Sequence, residues 1–147
     1  MRRILHPSDF SPASRAATAK AIALAKAERG QLWLVHVITP VIPLMGDGYI
    51  SPQIYDDMER STRAHGQRQL DRLVARAKTA GVRARGLLLE GTPADRIVRA
   101  ARAHHADVIV IGTHGRTGLA RVFLGSVAER VVGTAPCPVL TVRAKKS

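Results

Sequence analysis

The chain has 147 residues, 23 Lys+Arg against 11 Asp+Glu for a formal net charge of +12, and 46% apolar and 23% charged residues. This is the balance of a soluble globular domain, and the length suits a single domain over residues 1–147 that buries roughly two-thirds of its unfolded surface. Disorder is excluded as the main state, because Val, Ile, Leu and Ala are plentiful enough to offset chain entropy. A membrane helix is excluded too, since apolar stretches such as residues 21–25 and 108–111 fall far short of the ~20 residues a span needs.

Met1-Arg2-Arg3 is basic, but Pro7, Asp9 and Pro12 arrive before any long apolar run, so no signal peptide is expected. The single cysteine, Cys137, allows no internal disulfide, and no Cys/His spacing matches a zinc site. A reduced, cytoplasmic compartment is the expectation. The +12 charge attracts polyanions in general. The arginines, however, are spread through helical segments, and one Trp, two Tyr and two Phe offer little for stacking bases. Nucleic acid is therefore not expected as the main ligand.

Arg3-Ile4-Leu5-His6 reads as a strand running into Pro7-Ser8-Asp9. Ser11 has the place of an N-cap with Pro12 at the first helical position; Ala17, Ala21, Leu24 and Ala27 keep helical spacing until Gly30 closes the helix. Leu32-Trp33-Leu34-Val35-His36-Val37-Ile38 is a near-continuous apolar run, as in a strand buried on both faces. Residues 40–52 hold three prolines and two glycines and predict a loop. Ile54, Met58, Leu70, Leu73, Val74 and Ala77 then predict a long amphipathic helix stopped by Gly81, with Gly66 interrupting its middle. A third strand is expected over residues 82–89. Thr92-Pro93-Ala94-Asp95 has the order of a helix start, with Ala94, Ile97, Val98 and Ala101 as the apolar face. A fourth strand over residues 108–111, a helix over 126–132 and a last strand, Val139-Leu140-Thr141-Val142, complete the chain. Five strands separated by helices imply an α/β fold: a doubly wound, five-stranded parallel sheet with helices on both faces, Rossmann-like in kind.

The segment after the fourth strand is rich in glycine: Gly112-Thr113-His114-Gly115-Arg116-Thr117-Gly118, then Leu124-Gly125-Ser126-Val127 at a helix start. It leaves the carboxyl end of a buried strand, where open α/β sheets bind ligands. Glycines allow close approach of oxygen atoms, and first-turn amides lack intrahelical acceptors, so an anion is favoured there. Ser126 and Glu129 have the spacing of a capping box, so the serine hydroxyl could cap the helix, donate to a phosphate, or exchange between the two. Arg116 and Arg121 add positive charge. The Walker A pattern is absent, with Leu124 before Gly125-Ser126 and no lysine, and the first strand leads into Pro7-Ser8-Asp9 rather than a dinucleotide fingerprint.

The spacing Gly112-x2-Gly115-x9-Gly125-Ser126 resembles the nucleotide-binding motif of the universal stress protein family, in its ATP-binding branch. Residues 4–11 resemble that family's first strand and turn, residues 106–112 its fourth strand and residues 137–142 its last. The resemblance implies an adenine nucleotide alpha-hydrolase-like variant of the Rossmann-like fold. It also implies an adenine nucleotide, ATP with or without Mg²⁺, as the ligand of a homodimeric sensor or regulatory module in the stress response. By position, it implies that Asp9 meets the nucleoside with Pro7 shaping the turn, and that Val37 offers its backbone to the adenine edge. Ile111 and Gly112 would lie against the ribose, and Gly115, Gly125, Ser126 and Val127 would hold the phosphates, with the charge of Arg116 nearby. Dimerisation is expected through the last strand, whose open edge can recruit another strand.

Gly112, Gly115 and Gly125 could serve turn geometry alone, and Asp9 could be only a turn residue. His6 and His36 sit in apolar strands and read as packed residues, Cys137 as a small buried hydrophobe, and His104-His105 as a pair placed to suit the negative end of a helix. No general base and no pair of metal carboxylates is spaced for hydrolysis, so no catalytic residue and no metal ligand is assigned. Slow ATP hydrolysis and charge-driven nucleic-acid association are the alternatives.

Overall fold

The computed structural model describes residues 2–40, 51–113 and 125–144. In chain order the elements are β1 (Arg3–Pro7), α1 (Pro12–Glu28), β2 (Gln31–Ile38), α2 (Pro52–Thr79), β3 (Arg83–Glu90), α3 (Pro93–Ala103), β4 (Val108–Thr113), α4 (Ser126–Thr134) and β5 (Val139–Arg143). The sheet order is β3-β2-β1-β4-β5, and every pairing is parallel. The chain winds outward from β1 in one direction through β2 and β3, then returns to β4 and β5 on the other side. The doubly wound expectation is thus met, with the topological switch point between β1 and β4. Among the described residues no helix is long and apolar enough to cross a membrane.

Strand burial on both faces produces two cores. Ile4, Leu32, Leu34, Ala84 and Val110 pack under α1 and α2, through Ala17, Ala21, Ala25, Leu70 and Ala77. Leu5, Val35, Ile109 and Ile111 pack under α3 and α4, through Ala94, Ile97, Ala101, Ala128 and Val131. The alternation of neighbouring strand residues between these two sets is the period of two that a pleated strand imposes. Small alanines on α1 let that helix lie close to the sheet, which matters at the site below.

Two local expectations are corrected. The left-handed residue that ends α1 is Arg29, at φ 51°, and not Gly30. Gly30 is needed for space instead, because a Cβ there would overlap the Arg2 carbonyl. Ile54 and Met58, expected on the buried face of α2, are 55% and 44% exposed. At 28 residues α2 is about 42 Å long, whereas the eight-residue strands beneath it reach about 27 Å, so its first half overhangs the sheet. Contact is made through Gly66, Leu70 and Ala77. The glycine that interrupts the amphipathic pattern is a packing residue: a Cβ on Gly66 would sit 3.3 Å from His36 Cδ2 and 3.4 Å from Leu88 Cδ1.

Candidate functional site

The site begins where two strands part. β1 and β4 pair only at Ile4–Val108 and Leu5–Ile109, although β4 stays paired to β5 as far as Thr113. At the next position the Val110 carbonyl is met not by backbone but by His6 Nδ1, 2.8 Å away, with His6 fully buried. A carbonyl only accepts, so Nδ1 carries the proton. His6 Nε2 is then an acceptor; the Thr18 hydroxyl lies 2.8 Å from it and 2.8 Å from the Ser14 carbonyl, so its single proton serves one of these two acceptors at a time. Burial drives the His6 pKa down from 6.5 to about 4, against the opposing pull of the Val110 carbonyl and the Asp9 charge. A neutral imidazole therefore bridges β1, β4 and α1 at the base of the opening.

Beyond β1 the chain turns sharply through Ser8, Asp9 and Phe10. Phe10 takes the left-handed region, at φ 65°, where a bulky residue is strained. Its amide donates to Ser8 Oγ at 3.0 Å and its ring lies 4.3 Å from that of His36, while His36 Nδ1 donates to the Ser8 carbonyl at 2.8 Å. Asp9 Oδ1 accepts from the Ser11 amide at 2.9 Å and from the Ser14 hydroxyl at 2.7 Å. Burial works to raise the Asp9 pKa, but these bonds from Ser11 and Ser14 outweigh it and hold the carboxyl below its ordinary value. Asp9 is thus an ionised turn residue whose two side-chain bonds end on the same oxygen, Oδ1.

β2 outruns β1. Their register stops at Pro7–Val35, while β2 continues beside β3 to Ile38–Glu90. The Val35 carbonyl accepts from the Ser8 amide at 2.8 Å and so faces β1; the Ile38 carbonyl accepts from the Gly91 amide at 3.0 Å and so faces β3. Alternation along the strand then directs both the N–H and the C=O of Val37 toward the β1 side, past the point where β1 has left the sheet.

On the other flank, Gly112 stands inside β4 rather than in a turn. A Cβ there would lie 2.8 Å from the Ala13 carbonyl oxygen and 3.3 Å from Ser14 Cα, so only glycine lets the first turn of α1 close on β4. The start of α4 corrects a further expectation. The N-cap is Gly125, whose carbonyl accepts from the Glu129 amide at 2.9 Å; Ser126 is the first residue inside the helix. A hydroxyl at that position is past the geometry that folds back onto first-turn amides, and among the described residues no side chain caps α4. Ser126 is therefore not a cap. Its hydroxyl is exposed, and the first amides of α4 have no intrahelical acceptor.

These parts enclose a cleft of about 310 Å³ at the carboxyl ends of the strands, within the range of small-molecule sites. Pro7, Asp9, Val37, Ile111, Gly112, Gly125, Ser126 and Val127, eight of the ten residues singled out in the sequence, all line it. Gly115 and Arg116, and with them His114 and Arg121, lie outside the described residues. Sequence reasoning missed Ser8, Ser14, His36 and Thr39, which also line the cleft; the available signal for Ser14 is its place one helical turn after Ser11, within reach of the Asp9 turn. His6 is a packed residue as expected, but His36 is only partly buried and forms part of the wall. Cys137 is partly rather than fully buried, with burial raising its pKa. His104 and His105 do end α3, His104 lying 4.1 Å from the Trp33 ring. Among the described residues no group of three or more His, Cys, Asp and Glu gathers as a metal site would require.

Comparison with known proteins places this architecture. Residues 1–143 match the universal stress protein family. Universal stress protein MJ0531 of Methanocaldococcus jannaschii is 37% identical over 147 residues, spanning 99% of this chain and 84% of its own length. A crystal structure from the universal stress protein family of Burkholderia pseudomallei superimposes with TM-score 0.73 at 34% identity, over 95% of this chain and 94% of that one. A universal stress protein family structure from Arabidopsis thaliana with AMP bound shares the fold, with TM-score 0.72 at 22% identity over 99% and 93% of the two chains. On the full-length match and these shared features, this chain belongs to the universal stress protein family.

Proposed function

We propose that the cleft binds an adenine nucleotide, ATP foremost, and that the protein works as a homodimeric sensor or regulatory module of the cytoplasmic stress response. The observation that carries this reading is the convergence of three unlike groups on one cleft. They are an ionised carboxylate in the β1 turn, an outward-facing backbone N–H and C=O pair on Val37, and a helix start at Gly125–Ser126–Val127 with no side-chain cap among the described residues. A planar base with a donor and an acceptor on one edge suits Val37, ribose hydroxyls suit Asp9 Oδ2, and phosphate oxygens suit free amides and the Ser126 hydroxyl. Ile111 and Gly112 supply the apolar, closely approachable wall between the two ends. A structural neighbour with AMP bound supports the ligand class.

In this reading Mg²⁺ is held by the phosphates rather than by a protein cage. The dimer forms through β5, an edge strand on which Leu140 is 39% exposed. Isothermal calorimetry with ATP, ADP, AMP, cyclic AMP and GTP tests the proposal. Saturable one-to-one binding of ATP with GTP excluded is expected, and heats of dilution alone for every adenine nucleotide would overturn it.

A further inference from the structure

The positive charge is gathered in space more than the sequence suggests. Between residues 60 and 78, α2 carries Arg60, Arg63, Arg68, Arg72, Arg76 and Lys78, all exposed, against one acid, Asp71. Arg63 is taken up by Glu90 at 2.5 Å. Arg68, Arg72 and Arg76 follow one another at four-residue steps, each roughly 6 Å along the axis and about 40° round it, from the side of the helix opposite Gly66, Leu70 and Ala77 toward its flank. The result is a shallow spiral of arginines along one helix.

We propose that this face docks the sugar-phosphate backbone of double-stranded nucleic acid without reading its sequence. Guanidinium forks match phosphate oxygens in pairs, and a row with turn-by-turn spacing can follow a line of phosphates. The chemistry disfavours the other polyanions. A membrane-lying helix needs an apolar face to insert, and the apolar residues in this half of α2 are already packed on the sheet. Single strands are held by stacking on aromatic rings, and no Phe, Tyr or Trp occurs between residues 60 and 78. The face is also independent of the cleft. α2 covers β2 and β3, at the sheet edge remote from β5, and this half of it runs toward the amino ends of the strands.

The test is fluorescence anisotropy of the full chain with a labelled duplex of about 30 base pairs, titrated between about 20 and 200 mM salt. Binding at low salt is expected, with log affinity falling linearly in log salt. The triple variant Arg68→Gln/Arg72→Gln/Arg76→Gln should flatten that slope by about 2.7 and weaken low-salt binding at least tenfold. A control, Arg99→Gln/Arg102→Gln/Arg130→Gln, removes equal charge from the opposite side of the sheet and should keep the parental slope. If the first triple variant melts early, Arg72→Gln alone should flatten the slope by about 0.9. Three results would each overturn the proposal: no duplex binding at the lowest salt, equal losses in the two triple variants, or tighter capture by single strands or phosphatidylserine vesicles than by duplex.

Discussion

His6 gives the fold a defined acid limit that one substitution should remove. The imidazole is fully buried, neutral, and bonded on both nitrogens, with a pKa of about 4 against an ordinary value of 6.5. The unfolded chain takes up a proton as pH falls through 6.5, while the folded chain does not until about pH 4. Stability from this residue is therefore complete above pH 6.5, declines as pH falls between those values, and changes no further below the lower one. At about 1.4 kcal/mol per pH unit, the gap is worth about 3 kcal/mol. For a chain of this length that shifts the melting midpoint by roughly 10 °C. Asp9, whose pKa is lowered, acts in a separate window: its contribution is present above its ordinary 3.8 and is lost only as pH falls below that. The assay is differential scanning calorimetry from about pH 7 to about pH 4 on the parent and on His6→Gln. The Gln amide can still donate to Val110 and accept from Thr18 without a titrating group. The parent midpoint should fall by roughly 10 °C more than the variant's across that range. Parallel curves for the two proteins would refute the reasoning.

Gly112→Ala should displace the first turn of α1, since its Cβ meets the Ala13 carbonyl at 2.8 Å; a loss of about 1–3 kcal/mol by urea unfolding and at least tenfold weaker nucleotide binding are expected. Ser126→Ala separates two roles. Loss of a cap would cost about 1 kcal/mol, but with Gly125 as the cap, stability should stay within about 0.5 kcal/mol while calorimetric affinity for ATP falls several-fold. Ser14→Ala removes the 2.7 Å bond to Asp9 and should raise the Asp9 pKa, read by NMR titration of the carboxyl carbon, and weaken adenosine more than inorganic triphosphate. Leu140→Lys on the exposed edge of β5 should convert a dimer to a monomer by analytical ultracentrifugation, with the cleft intact.

The order of elements was legible because buried parallel strands leave continuous apolar runs, such as residues 32–38, and because Ser11-Pro12 and Thr92-Pro93 mark helix starts with residues that fix φ or offer an acceptor. Eight cleft residues could be named because the resemblance to the universal stress protein family assigns them by position, and the ends of β1, β2 and β4 and the start of α4 bring those positions together. What stayed hidden is non-local. Nothing near His6 in the sequence announces its bond to a carbonyl 104 residues away, nor that Thr18 would close the chain of bonds to Ser14 and Asp9. Ser126 misled for a local reason: the S-x-x-E spacing fits a capping box, but the helix starts one residue earlier than that box requires. The overhang of α2 depends on comparing a helix length with a strand length, which periodicity does not do.

The early departure of β1 leaves the ladder one rung short beside Val37. A flat molecule with a donor and an acceptor side by side would complete that rung and become, in effect, a piece of the sheet. Recognition by main chain alone would let the side chain at position 37 vary widely in kind, from Ala to Ile, while proline, with no N–H to offer, would be barred. It also makes occupancy a form of structural repair, so that the filled protein should resist local opening around β1 and β2 more than the empty one.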